Sequence, residues 1–126
     1  MANPSRRPRF LDVTRIRFPV GAICSFGHRV SGVALAIASP LLAVLFTRSL
    51  QGAEGYAEAA NWLTPLPVRA ALVLVVWALA HHLLAGVRHL LMDVGFGSAL
   101  GTARASAWLV NLAGVAIAAL AVGALR

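Results

Sequence analysis

The stretch AALVLVVWALAHHLLAGV, residues 70–87, decides the fold of this chain. Its 18 residues include no Asp, Glu, Lys or Arg, and only His81 and His82 interrupt the run of apolar side chains. A helix of about 17–25 mostly apolar residues crosses the hydrocarbon core of a bilayer. The stretch therefore predicts a transmembrane helix that carries two imidazole groups into the membrane.

Two further uncharged runs lie on either side, residues 30–47 and residues 105–125. The whole chain of 126 residues is 60% hydrophobic and 12% charged, which is too apolar for an ordinary soluble domain. We expect an all-α membrane protein with three transmembrane helices that form part of a multi-subunit bundle. The predicted units are a basic segment over 1–18 and one membrane domain over 19–126, with spans near 22–48, 67–93 and 103–125.

Proline and glycine predict where the helices begin and end. Pro19 suits the first turn of helix one, and Pro65 precedes helix two in the same way. Pro40 lies inside helix one, where a transmembrane helix tolerates it and is often kinked. Residues 51–64 are predicted to be a polar loop, and Gly95 is expected to end helix two.

The positive charge comes from arginine alone and is concentrated before the first span. The net charge is +7, and the first connection carries Arg48 and Arg69 but also Glu54 and Glu58. A basic tail can bind nucleic acid, but arginine beside a span typically marks its cytoplasmic end. We expect a cytoplasmic N-terminus that is retained and not cleaved as a signal peptide, and no nucleic-acid partner. The tail arginines are Arg6, Arg7, Arg9, Arg15 and Arg17.

Cys24 is the only cysteine in the chain. A single thiol excludes an internal disulfide and a metal site built from cysteines. We therefore expect Cys24 to be a small residue in helix packing.

Four residues of helix two are spaced 4, 3 and 4 apart and share one face: His82, Gly86, His89 and Asp93. His82 and His89 are separated by about 10 Å along the axis, with His82 deeper in the bilayer. Gly86 leaves a gap between them, against which a flat macrocycle could lie. The imidazole of His82 could then ligate haem iron, with His89 close to the haem propionates.

A simpler interpretation of the same face stays open. A buried histidine can hydrogen-bond across helices, and Gly86 can serve only to bring helices close together. His81 points about 100° away from His82, so helical periodicity does not choose between them.

The remaining polar residues near the inner ends of the spans have several possible partners. Arg88 and Asp93 could pair with each other, with Arg104 or with another subunit. Asp93 is also a candidate for proton supply. Asn111, about two turns into helix three, is expected to make an interhelical hydrogen bond.

Helix one carries Ser25 and Arg29 on a shared face near its inner end. A hydroxyl donor beside a guanidinium suits a quinone headgroup, because the guanidinium stabilises the charge that builds on reduction. His28 faces a neighbouring direction and could reach a haem propionate. Alternatively, Arg29 reaches lipid phosphate and Ser25 merely packs. Ser31 and Gly32 are expected to be packing residues.

Two sequence motifs resemble a known family. SFGHRVS, residues 25–31, and HLLAGVRHLLMDVG, residues 82–95, resemble the two signatures of the cytochrome b556 subunits of succinate dehydrogenase. The tail sequence RIRFP, residues 15–19, and the three-span layout extend the resemblance over nearly the whole chain.

The resemblance implies a membrane anchor of respiratory complex II in the bacterial inner membrane. Such a chain is no enzyme alone. It joins a flavoprotein subunit, an iron–sulfur subunit and a second membrane subunit, and electrons from succinate, a tricarboxylic acid cycle intermediate, reach ubiquinone or a related quinone. Haem b would be shared, with the second membrane subunit supplying the other axial ligand.

The resemblance also assigns roles to single residues. It places the haem ligand on His82, the quinone contacts on Ser25 and Arg29, and the propionate contacts on His28 and Arg29 with His89 nearby. The alternative is a haem-free structural anchor of a respiratory complex. A small transporter is disfavoured, because no acidic residue lies within a span.

Overall fold

The computed structural model of the protein describes residues 16–125. It contains four helices and no strand within those residues. Three helices are long and apolar enough to cross a membrane, which confirms the all-α fold with three candidate spans. Most of the basic segment 1–18 lies outside the described residues, so its separation from the membrane domain stays a prediction. The helices are α1 (Val20–Ser49), α2 (Gly52–Trp62), α3 (Leu66–Asp93) and α4 (Leu100–Ala124).

The helix ends follow the proline and glycine positions. Pro19 and Pro65 are extended residues that immediately precede α1 and α3. α1 continues through Pro40 without a break. Gly95, just after α3, has a φ of 88°, a left-handed conformation that a residue with a Cβ rarely adopts. The chain can therefore turn sharply from α3 toward α4.

The prediction of a loop over 51–64 was wrong, because α2 occupies most of it. Its alanine and glutamate residues favour a helix, but eleven residues are too few for a stable isolated helix. Contacts with the end of α1 hold it in place. Arg48 lies 3.5 Å from the carboxylate of Glu58 and donates a 2.7 Å hydrogen bond to Gln51.

The core of the bundle is small-residue packing between helices. α3 packs against both α1 and α4, and α1 also contacts α4. Small side chains let helix backbones approach closely in a membrane, where apolar burial gives little driving force. Cys24 lies in this core and is fully buried, as predicted. The central cluster consists of Cys24, Ala85, Ala107 and Val110.

Candidate functional site

The two adjacent histidines of α3 have different surroundings. His81 lies between Gly27 of α1 and Asn111 of α4 and is 2% exposed, whereas His82 contacts α1 and is only partly buried. Successive residues of a helix project about 100° apart, so the two imidazoles point in different directions. The contacts of each ring show which one remains available to a ligand.

The ring of His81 is enclosed by the chain itself. Its Nε2 lies 3.0 Å from Oδ1 of Asn111, the interhelical hydrogen bond expected for Asn111. A Cβ added to Gly27 would lie 2.7 Å from Cε1 of His81, and one added to Gly114 would lie 3.4 Å from its Cβ. Gly27 therefore makes room for this ring, whereas a Cβ at Gly114 would make only an ordinary van der Waals contact. Nδ1 of His81 is buried, so it is not accessible to a haem iron in this arrangement.

His82 is held at one nitrogen only. Its Nδ1 lies 3.0 Å from the backbone oxygen of His28 and 3.3 Å from Oγ of Ser31. The Ser31 hydroxyl donates to the same backbone oxygen at 2.9 Å. A carbonyl oxygen can only accept, so Nδ1 carries the proton and Nε2 carries the lone pair.

This geometry fits an axial ligand of haem iron. Nε2 of His82 has no hydrogen-bond partner within residues 16–125, and the ring is partly exposed on the side of the bundle. Histidines that bind metals usually donate their other N–H to a carbonyl or a carboxylate, which fixes ring orientation. His82 meets that requirement through the backbone of α1. His81 has a comparable contact through its Nε2 with Oδ1 of Asn111, but its other nitrogen, Nδ1, is buried and has no hydrogen-bond partner within the described residues.

The gap predicted beside Gly86 exists, but the chain fills it. The imidazole of His28 lies there, with its Nε2 3.3 Å from the position of a Cβ at Gly86. The same ring stacks on His82, with centroids 4.2 Å apart, and on His89, with centroids 5.2 Å apart. A macrocycle lying against Gly86 therefore stays a prediction, and it would require the ring of His28 to move aside. α1 comes close enough at this glycine to insert its own ring.

Arg88 is directed to α4. Its Nε donates to Oγ of Ser106 and its Nη2 donates to the backbone oxygen of Ala103, both at 3.0 Å. The residue is 9% exposed, and no ion pair joins it to Asp93 in the part of the chain that the structure describes. Asp93 is the exposed last residue of α3. The sequence suggested that Arg88 pairs with Asp93 or with another subunit. It gave no sign of the hydrogen bonds to Ser106 and Ala103.

Ser25 and Arg29 lie one turn apart on α1, so they share a side of that helix. Ser25 is partly buried and Arg29 is exposed. Neither side chain makes a hydrogen bond to another residue within 16–125. Among the described residues, the hydroxyl and the guanidinium are therefore both without a competing hydrogen bond. On α3, the Nδ1 of His89 contacts the backbone oxygen of Ala85.

Sequence reasoning missed the part that small residues of α1 play around His82. Ser31 was expected only to pack, yet its hydroxyl lies at Nδ1 of His82. A Cβ added to Gly32 would lie 2.9 Å from Cε1 of that histidine. Their positions three and four residues after His28 could have shown that they share its side of the helix.

Comparison with known proteins gives a consistent family. The family model described as succinate dehydrogenase/fumarate reductase transmembrane subunit matches residues 3–122. The succinate dehydrogenase cytochrome b556 subunit of Coxiella burnetii is 37% identical over 107 residues, covering 84% of this chain and 86% of the relative. The subunit of the same name from Paracoccus denitrificans is 32% identical, covering 94% and 91%, and that from Rickettsia felis is 28% identical, covering 92% and 90%.

Proposed function

Because this chain belongs to the family of succinate dehydrogenase/fumarate reductase transmembrane subunits, we propose that it binds haem b through His82 and helps to form a quinone site. The haem lies at an interface with a second membrane subunit, which supplies the other axial ligand. The chain anchors the iron–sulfur and flavoprotein subunits at the inner membrane of a bacterium. It passes electrons between succinate and quinone only as part of that complex.

The observation that carries the haem proposal is the state of His82. Its Nδ1 proton is directed at the backbone oxygen of His28, 3.0 Å away, which leaves the Nε2 lone pair free for a metal. Haem supplies one-electron transfer when it is bound. The chain's own contribution is to set the tautomer and the orientation of the ring, through the backbone of His28 and the hydroxyl of Ser31. His28, Arg29 and His89 lie toward the inner end, where propionates would be accommodated.

The quinone proposal rests on Ser25 and Arg29. The hydroxyl of Ser25 donates to a quinone carbonyl oxygen, and the guanidinium of Arg29 stabilises negative charge on that oxygen. Their side chains have no competing hydrogen bonds within the described residues. Asp93, exposed at the end of α3, is the candidate for supplying protons from the cytoplasmic side.

The haem proposal is tested with the purified complex that contains His82→Ala. We expect the b-type absorption band to be lost while the complex still assembles. Leu83→Ala is the matched control, because Leu83 lies next in sequence and is 62% exposed on the surface of α3. An unchanged band in assembled His82→Ala complex would refute the ligand assignment.

The second candidate function is a haem-free structural anchor. The stacking of His28 with His82 and with His89 favours it, since these rings already connect α1 and α3 without any cofactor. A wild-type complex that assembles, oxidises succinate and has no b-type band would establish this alternative.

A further inference from the structure

We propose that His81, Arg88 and Asn111 are positioning residues that set the rotation of α3 about its own axis. Their contacts with α4 determine which of two adjacent histidines, His81 or His82, is presented to the haem. This proposal rests on the haem function proposed above. It concerns a side of α3 about 100° from the proposed haem ligand.

Contacts that set the rotation of α3 are needed because two histidines, His81 and His82, are adjacent in the sequence. The two rings are chemically identical, and each could ligate iron through Nε2. A rotation of α3 by about 100° would bring His81 to the direction that His82 now has. Apolar side chains all around a transmembrane helix do not oppose that rotation strongly, because lipid and protein surfaces are similarly apolar. Directional contacts are required to favour one rotation.

The first such contact is the His81–Asn111 hydrogen bond, 3.0 Å long. The ring lies against Gly27 of α1, where an added Cβ would come within 2.7 Å of Cε1, so only a glycine leaves room for the imidazole there. His81 is 2% exposed there. Water is scarce at this depth, so the hydrogen bond has no ready substitute if the helix turns.

The second contact lies seven residues along α3, or about 10 Å, at Arg88. Its two hydrogen bonds, to Ser106 and to the backbone of Ala103, bind the same pair of helices at the inner end. His81 and Arg88 lie on nearly the same side of α3, about 20° apart by helical spacing. Two directional contacts along one side oppose both rotation and sliding of α3 against α4.

The test uses the assembled complex that contains Asn111→Leu, which keeps the branched shape and the number of side-chain heavy atoms but removes the acceptor for His81. We expect the electron paramagnetic resonance spectrum of oxidised haem to change from one low-spin species to two, with a shifted midpoint potential. His81→Phe in the same chain should restore a single species, because only His82 is then left to ligate. Leu112→Ala, at the next residue of α4, 62% exposed, is the control and should keep the wild-type spectrum.

A wild-type spectrum and potential in assembled Asn111→Leu complex would overturn the positioning role. If that variant does not assemble, Ser106→Ala decides, because it removes only one acceptor of Arg88: a second species supports the proposal and an unchanged spectrum overturns it. A wild-type complex without haem would overturn the proposed function together with this inference. The two failures are therefore distinguishable.

Discussion

The imidazole of His28 on α1 stacks on the imidazole of His82 on α3, with ring centroids 4.2 Å apart and ring planes 10° apart. The backbone oxygen of His28 is also the acceptor that faces Nδ1 of His82, at 3.0 Å. One residue of α1 therefore positions His82 in two ways, through its carbonyl and through its ring. Only the ring contact can be removed by substitution, which separates the two effects experimentally.

His28→Ala removes the stacking ring but leaves the backbone oxygen in place. We expect the complex to retain haem less firmly, by about fivefold, because an aromatic pair contributes about 1 kcal/mol. Haem content after detergent washing measures this loss. His28→Phe keeps a flat ring and should retain more haem than His28→Ala. Equal losses in the two variants would contradict a stacking role.

Gly32→Ala tests the space around the ligand directly. A Cβ at Gly32 would lie 2.9 Å from Cε1 of His82, so the ring must move from its position. We expect a weaker b-type band and a shifted haem midpoint potential. Gly21→Ala is the control on the same helix, since no packing neighbour among residues 16–125 lies within 4 Å of a Cβ there. The same spectrum in both variants would refute the claim that Gly32 leaves the space needed by the ring of His82.

Ser25→Ala and Arg29→Gln should reduce quinone reduction by succinate. A lost neutral hydrogen bond is worth about 1 kcal/mol and one from a charged group about 2 kcal/mol, which predicts losses of about fivefold and about thirtyfold. Succinate oxidation with an artificial acceptor that bypasses the quinone should stay normal. Ser39→Ala is the control, because Ser39 is exposed and its hydroxyl contacts only the backbone of Ala36. Normal quinone reduction in both site variants would exclude this site.

The orientation of the chain is tested by labelling with a membrane-impermeant maleimide in a Cys24→Ala background. Glu54→Cys, exposed on α2, should react from outside intact cells. Ser98→Cys, exposed between α3 and α4, should react only after the membrane is opened. The opposite pattern would place the N-terminus outside and refute the orientation inferred from the arginines.

The number and type of long helices could be predicted from composition and run length alone. The helix α2 could not, because its eleven residues are marginal by themselves and pack against α1. The direction of Arg88 could not be predicted either. Its partners are a serine hydroxyl and a backbone oxygen on α4. The chain offers many acceptors of these two kinds, and nothing in the sequence marks these two as the partners of Arg88.

The sequence by itself determined that His81 and His82 both enter the membrane on one helix, and the motif resemblance favoured His82. Helical periodicity gives the direction of each side chain only relative to the axis of its own helix, so it cannot say which neighbouring helix a side chain contacts. The tertiary structure decides which helices His81 and His82 contact. Asn111 of α4 and Gly27 of α1 enclose His81, while the backbone of His28 orients His82 and leaves its Nε2 free within the described residues. Hydrogen bonds and close contacts between backbones distinguish these two residues of the same type. Both depend on how the helices pack against one another.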